Sequence, residues 1–247
     1  MNYYKLIISY DGTNYQGWQQ QPIVPTVSNT MIKAFKDAFH CDLTILGASR
    51  TDAGVHSLGQ TALVKTELYL EPNILKNSWN KILPSDIVII HLQKVDETFH
   101  PMVKVKEKTY YYDFFVERPL PFNQRFGLFF YWKLDIEKLK NCLNLFVGTH
   151  DFRSFCSGDE MKTTVRTINE ISLQYIENLN IYRITIKGKS FLKYMIRRIV
   201  GACLEVSSRK NVSTDYLSQV LKEKDPNQTL LNAPPKGLTL YKIEYEE

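Results

Sequence analysis

The chain has 247 residues, 44% apolar and 13% aromatic. That describes a folded globule, one large domain or two smaller lobes, and excludes a disordered chain. The net charge of +5 is mild, no apolar run approaches membrane-spanning length, and the opening run is too short for a signal peptide, so the cytoplasm is the expected compartment.

Residues 3–10 read as an opening strand, followed by a polar, glycine-punctuated loop, Asp11-Gly12-Thr13-Asn14-Tyr15-Gln16-Gly17-Trp18-Gln19. Thr26 is placed to N-cap a helix running to about residue 40, with Met31, Ala34, Phe35 and Ala38 at helical spacing. The apolar run Leu43-Thr44-Ile45-Leu46 reads as a strand and the alternating residues 60–65 as the next. Pro72 starts a second helix carrying Leu75 and Trp79, and residues 86–93 form another strand.

The second half repeats this order loosely. Residues 108–117 are aromatic-rich and strand-like. Asp135 caps a helix to about residue 147 through Leu139, Leu143 and Phe146. Residues 165–175 and 181–187 alternate as two strands. Residues 192–204 form an amphipathic helix with Leu192, Ile196, Ile199 and Cys203 on one stripe. On that helix Lys193 and Arg197 would stand one turn apart along the flank of the stripe. Residues 215–222 read as helical and 238–245 as a last strand. The order predicts an α+β fold of two similar α/β lobes, residues 1–107 and 108–247, with a mixed, mainly antiparallel sheet. No tight internal repeat accompanies that duplication.

The charge is unevenly placed. Residues 1–107 carry 10 Lys+Arg and 10 Asp+Glu, whereas residues 108–247 carry 21 and 16. Between Glu177 and Glu205 there is no acid, and there are six bases: Arg183, Lys187, Lys189, Lys193, Arg197 and Arg198. Such a run fits either a surface for a polyanion such as RNA or an ordinary solvated face. Cys41, Cys142, Cys156 and Cys203 form no Cys-x-x-Cys pair and are expected to be reduced, mostly buried thiols. The five histidines include no His-Glu-x-x-His grouping, so no protein-built metal site is expected.

Between the strands at 43–46 and 60–65 lies Gly47-Ala48-Ser49-Arg50-Thr51-Asp52-Ala53-Gly54-Val55-His56. Its two glycines allow backbone conformations closed to other residues, and the Asp52 carboxylate stands two residues from the Arg50 guanidinium. Taken alone, the loop also reads as a surface turn in which Asp52 bonds its own backbone. The ten residues resemble the signature of the TruA family of tRNA pseudouridine synthases, in which the aspartate is catalytic.

Further segments carry the same resemblance. Lys106-Glu107-Lys108-Thr109-Tyr110-Tyr111-Tyr112 is similar to the family's basic segment with an active-site tyrosine, and Tyr110 matches it. There the ring packs on the target base and the hydroxyl is a candidate proton carrier; by itself Tyr110 also fits a cross-strand core residue. Gly188-Lys189-Ser190-Phe191-Leu192-Lys193-Tyr194-Met195-Ile196-Arg197 is similar to the third motif, where an arginine, here Arg197, forks onto the catalytic carboxylate. The opening loop and Lys236-Gly237-Leu238-Thr239-Leu240 match the family's two ends. In Phe99-His100-Pro101-Met102-Val103, an RNA-contacting stretch of the family, Met102 stands where relatives usually carry arginine. Residues 157–162 fall in a second, variable contact segment.

The resemblance implies a pseudouridine synthase-like fold with a central active-site cleft, acting on uridines at positions 38–40 of the tRNA anticodon stem. It implies a homodimer and no cofactor, nucleotide or metal. Asp52 would be catalytic, Arg50, Tyr110 and Arg197 would bind the target nucleotide, and Lys189, Lys193 and His100 would contact RNA. The competing expectation is a non-catalytic RNA-binding protein on the same scaffold. Gly188-Lys189-Ser190 is not a phosphate-binding P-loop, because Arg183 stands where that motif needs its first glycine.

Overall fold

The computed structural model describes residues 1–158 and 163–246. In the first half of the chain the elements are β1 (Asn2–Tyr10), α1 (Val27–Phe39), β2 (Leu43–Gly47), β3 (His56–Thr66), α2 (Pro72–Ile82) and β4 (Ile87–Val95). The second half contributes β5 (Val105–Phe115), β6 (Leu128–Phe129), α3 (Ile136–Asn144), β7 (Gly148–Asp151), β8 (Val165–Ile176), β9 (Ile181–Gly188), α4 (Met195–Ser208), α5 (Asp215–Glu223) and β10 (Leu238–Tyr245). This is an α+β fold with mixed strand pairing. The chain forms two compact units, Met1–Lys106 with Thr239–Glu247, and Glu107–Leu238. Among the described residues no helix is long and apolar enough to cross a membrane.

In the first unit β3 is central. It pairs antiparallel with β1, Leu6 opposite Ala62, and along its other edge with β2, Ile45 opposite Val64. The first residues of β3 run parallel to β10, Thr239 opposite His56, and β4 flanks the outer edge of β1. Sequence alternation predicts β3 only over residues 60–65, yet it starts at His56. The strand is buried along nearly its whole length, so polar Ser57 and Gln60 are enclosed and alternation fades as a signal. Each is satisfied: the Ser57 hydroxyl donates to the Leu240 carbonyl at 3.2 Å, and Gln60 is bonded to Ser49 as described below.

The helices cover this sheet. The Thr26 hydroxyl accepts the Asn29 N–H at 3.2 Å, capping α1, and His40 at φ 52° ends it. Met31, Ala34 and Phe35 are buried as the spacing predicts, with Ala38 half-buried. From α2, Trp79 packs edge-on to Phe35 at 4.9 Å and donates its Nε1–H to the Met31 carbonyl at 3.2 Å.

In the second unit β5, β9, β8 and β7 pair antiparallel in that order, and the two-residue β6 runs parallel to the end of β5. Asp135 accepts the Lys138 N–H at 2.9 Å and caps α3. That helix stops at Asn144, short of residue 147, and Phe146 reaches the core from the turn beyond. α3 packs on α4. α4 begins at Met195, three residues later than the stripe predicts, because Tyr194 sits in the left-handed region at φ 64°. Leu192, Ile196, Ile199 and Cys203 are all buried nonetheless. The expected pairing of Lys193 and Arg197 along one helix flank is corrected by this start: Lys193 lies outside the helix. Cys142, Cys156 and Cys203 are buried free thiols, and burial pushes each of them up, so they stay protonated and unreactive.

Candidate active site

The Asp52 loop is fixed mainly through its backbone. Where β2 ends, the Ala48 N–H donates to the Thr61 carbonyl at 2.8 Å. The buried Gln60 amide then grips Ser49 at both backbone groups, accepting its N–H at 3.2 Å and donating to its carbonyl at 2.5 Å. Arg50 points into solvent. Beyond it, the opening loop takes over. The Trp18 N–H donates to the Thr51 carbonyl at 3.1 Å, the Gly54 N–H donates to the Tyr15 carbonyl at 3.1 Å, and the Tyr10 and Thr51 hydroxyls bond at 2.8 Å. The Val55 N–H returns to the Asp52 carbonyl at 3.1 Å, closing a turn whose third residue, Gly54, has φ 74°. Asp52 itself is half-buried.

Two features explain why these two loops meet so closely. A Cβ on Gly12 would lie 2.0 Å from the Val55 carbonyl oxygen, so only glycine fits. The Gly12 N–H donates to Nδ1 of buried His56 at 3.0 Å, and the Asp11 carboxylate lies 3.0 Å from the same nitrogen. The sequence marks the opening loop as polar and glycine-punctuated, but not its approach to the Asp52 loop, nor the clamping roles of Trp18, Gln60 and His56.

In the second unit Tyr110 and Tyr112 share one face of β5 and Tyr111 takes the other, as alternation requires. Tyr110 is buried, and its ring meets Phe191 edge-on at 5.3 Å. The Tyr112 hydroxyl donates to the Pro234 carbonyl at 3.0 Å, and burial pushes its phenol up against the opposing pull of the Arg197 charge. Arg197 is buried rather than set on a solvated flank. Its Nε–H donates to the Ala233 carbonyl at 2.8 Å, and its own carbonyl accepts the Ala233 N–H at 3.0 Å. A strap at residues 233–234 thus fixes both Arg197 and Tyr112, a role invisible in the sequence.

The basic run is less available than its spelling suggests. Arg183 forks onto Asp113 at 2.8 and 2.7 Å and lies over the Tyr111 ring, while Lys187 pairs with Glu170 at 2.7 Å. Arg198 donates to the Cys156 carbonyl at 2.6 Å. Lys189 and Lys193 are exposed, with the Lys193 ammonium 5.2 Å from the Tyr194 ring. His100, half-buried in the first unit, accepts the Met102 N–H on Nδ1 at 3.2 Å, and Met102 is exposed. Of the segment at 157–162, residues 159–162 lie outside the described residues. Among the described residues no group of three or more His, Cys, Asp or Glu side chains is placed to hold a metal ion.

The family described as tRNA pseudouridine synthase matches residues 6–102 and 143–246. The chain is 38% identical to tRNA pseudouridine synthase A of Thermodesulfovibrio yellowstonii over 251 residues, covering 98% of each chain. It is 39% identical to the protein of that name from Aster yellows witches'-broom phytoplasma over 244 residues, again 98% of each. Against the one from Pseudothermotoga lettingae it is 36% identical over 247 residues, covering 99% of this chain and all of the other.

Proposed function

Since this chain belongs to the tRNA pseudouridine synthase family and is an isomerase of that kind, we propose that it converts uridines at positions 38–40 of the tRNA anticodon stem-loop, with Asp52 as its catalytic residue. The observation that carries this reading is the Asp52 loop, a half-buried carboxylate on a backbone fastened to the opening loop at Thr51 and Gly54. A carboxylate carried on a fixed backbone needs less reorganisation when the reacting sugar arrives.

The reaction conserves every atom of the nucleotide. The C1′–N1 bond breaks, the base turns, a C1′–C5 bond forms, and over the whole cycle C5 loses a proton while N1 gains one. No electron is gained or lost overall, so the chemistry requires no redox agent and no nucleotide cofactor. Asp52 serves either by attacking the sugar carbon or by taking a sugar proton. Arg50, Tyr110 and Arg197 bind the target nucleotide in this reading, and Lys189, Lys193 and His100 contact the RNA. A target inside a stem must first be unstacked, at roughly a few kcal/mol. Exposed cations and an aromatic ring suit that task. The family resemblance further supports a cytoplasmic homodimer, which sedimentation would contradict by returning a monomer at assay concentration. The function itself is tested by mapping pseudouridine in tRNA from cells lacking this chain. Loss of the modification from the anticodon stem-loop is expected, and an unchanged map would refute the assignment.

Tyr110 offers a sharper test of one role. Tyr110→Ala should lose turnover together with about 3–5 kcal/mol of stability, because a buried aromatic ring is removed. Tyr110→Phe keeps the contact with Phe191 and should melt far closer to the wild type than Tyr110→Ala does. Retained turnover in that variant assigns base packing to the ring, and near-complete loss assigns proton handling to the hydroxyl. Full turnover in Tyr110→Ala would return the residue to core packing alone.

A further inference from the structure

We propose that Asp11 and His56 are a protonation-sensitive positioning pair, which holds the Asp52 loop in its active place only while the His56 ring is neutral; this rests on the synthase reading above. The His56 side chain is 4% exposed, so it acts through the loop and not on RNA. Two contacts meet at one of its nitrogens, Nδ1. The Gly12 N–H donates to it at 3.0 Å, and a carboxylate oxygen of Asp11 lies 3.0 Å from it. The first contact needs a bare nitrogen, which puts the proton of the neutral ring on Nε2. The second is favourable only when Nδ1 carries a proton, because lone pairs otherwise face each other. One protonation state therefore satisfies Gly12, and the other satisfies Asp11.

The carboxylate is held beside the ring by bonds that do not involve it. The same oxygen accepts the Thr13 N–H at 3.0 Å and the Thr13 hydroxyl at 2.5 Å, and the Asp11 N–H donates to the Asp86 carbonyl at 2.9 Å. The other titratable groups on the surrounding elements are Tyr10 on β1, Tyr15 and Asp86 at the opening loop, and Asp52 on the catalytic loop. Thr239, opposite His56 on β10, is uncharged. Burial and the bond to Asp86 push the Tyr15 phenol up, so Tyr15 stays neutral. Protonating His56 turns Nδ1 into a donor to Asp11 and takes the acceptor from Gly12. Two N–H groups then face each other where Gly12 meets Val55, the residue that closes the turn on Asp52. The catalytic loop is thereby loosened from the opening loop.

The test is a series from about pH 5 to 8, the range in which an ordinary imidazole changes charge, on the wild type, Asp11→Asn and His56→Asn. Single-turnover rate at saturating anticodon stem-loop transcript is read beside the NMR signal of the Gly12 amide. In the wild type the rate should fall about 10-fold or more on acidification, and the Gly12 signal should move with the same midpoint. A carboxylate beside an imidazole favours its charged form, so Asp11→Asn should carry both midpoints to lower pH by about one unit. Asparagine at position 56 offers Gly12 an oxygen and does not titrate, so His56→Asn should flatten both profiles. A role in packing alone would scale the rate at every pH and leave the midpoint in place. The amide titration needs no turnover and decides in the same way for a variant that is inactive. A flat wild-type profile would overturn the proposal, and so would wild-type rate and amide midpoints that differ. An unmoved midpoint in Asp11→Asn, or a titration that persists in His56→Asn, would do the same. A wild-type protein that made no pseudouridine at any pH would sink the synthase reading as well, whereas failure of this inference alone leaves wild-type turnover intact.

Discussion

Asp52→Asn is expected to yield no detectable pseudouridine, a loss of about 10⁴-fold or more, while binding tRNA as tightly as the wild type or slightly more so. Asparagine matches the shape of aspartate but is neither a useful base nor a nucleophile. The loop should survive the change. Trp18 bonds the carbonyl of Thr51, Val55 bonds the carbonyl of Asp52, and Gly54 donates to the carbonyl of Tyr15. None of these bonds uses the carboxylate. With one negative charge fewer, and Arg50 two residues away, the loop should repel an RNA phosphate less. Filter binding beside a chemical pseudouridine assay reads both quantities. Lost binding with a lower melting temperature would mean instead that the carboxylate holds the loop together.

Gly12→Ala should be nearly as damaging by a different route. The new methyl group would lie 2.0 Å from the Val55 oxygen, which must move or be pushed away. Val55 closes the turn on Asp52, and the Gly12 N–H anchors His56 at the end of the same loop. Displacing a catalytic group by about 1 Å costs roughly 100-fold in rate, and that is the loss expected here. Overpacking of about 1–3 kcal/mol should also lower the melting temperature by roughly 5 °C for a chain of this size. The two variants therefore separate chemistry from placement, since Asp52→Asn should leave melting unchanged. Wild-type turnover and melting in Gly12→Ala would show that the opening loop does not position the catalytic one.

Much of the fold was legible because its signals are local. Thr26 and Asp135 announce their helices through side chains that reach only three residues ahead. In β8 and β9 apolar residues alternate at Ile171, Leu173 and Tyr175 and at Tyr182, Ile184 and Ile186. The elements that escaped are short or depend on distant partners. β6 and β7, of two and four residues, are too brief to display a period. The late start of α4 follows from one backbone angle at Tyr194, in a stretch whose side chains continue the apolar stripe without interruption.

The candidate site divides in the same way. Asp52, Tyr110 and Arg197 stand out through their resemblance to family motifs, not through any pattern of hydrophobicity. The basic run misleads because charge counted along a chain ignores what lies across a sheet. Asp113, 70 residues from Arg183, and Glu170 on the neighbouring strand pair with bases that look unopposed in the sequence.

The most direct test of the account is made with the purified chain and an unmodified anticodon stem-loop transcript, with no nucleotide added. Chemical mapping of the product should find pseudouridine at the uridines of positions 38–40 in the wild-type reaction and none with Asp52→Asn. A wild-type product without pseudouridine, or conversion that persists in Asp52→Asn, would contradict it.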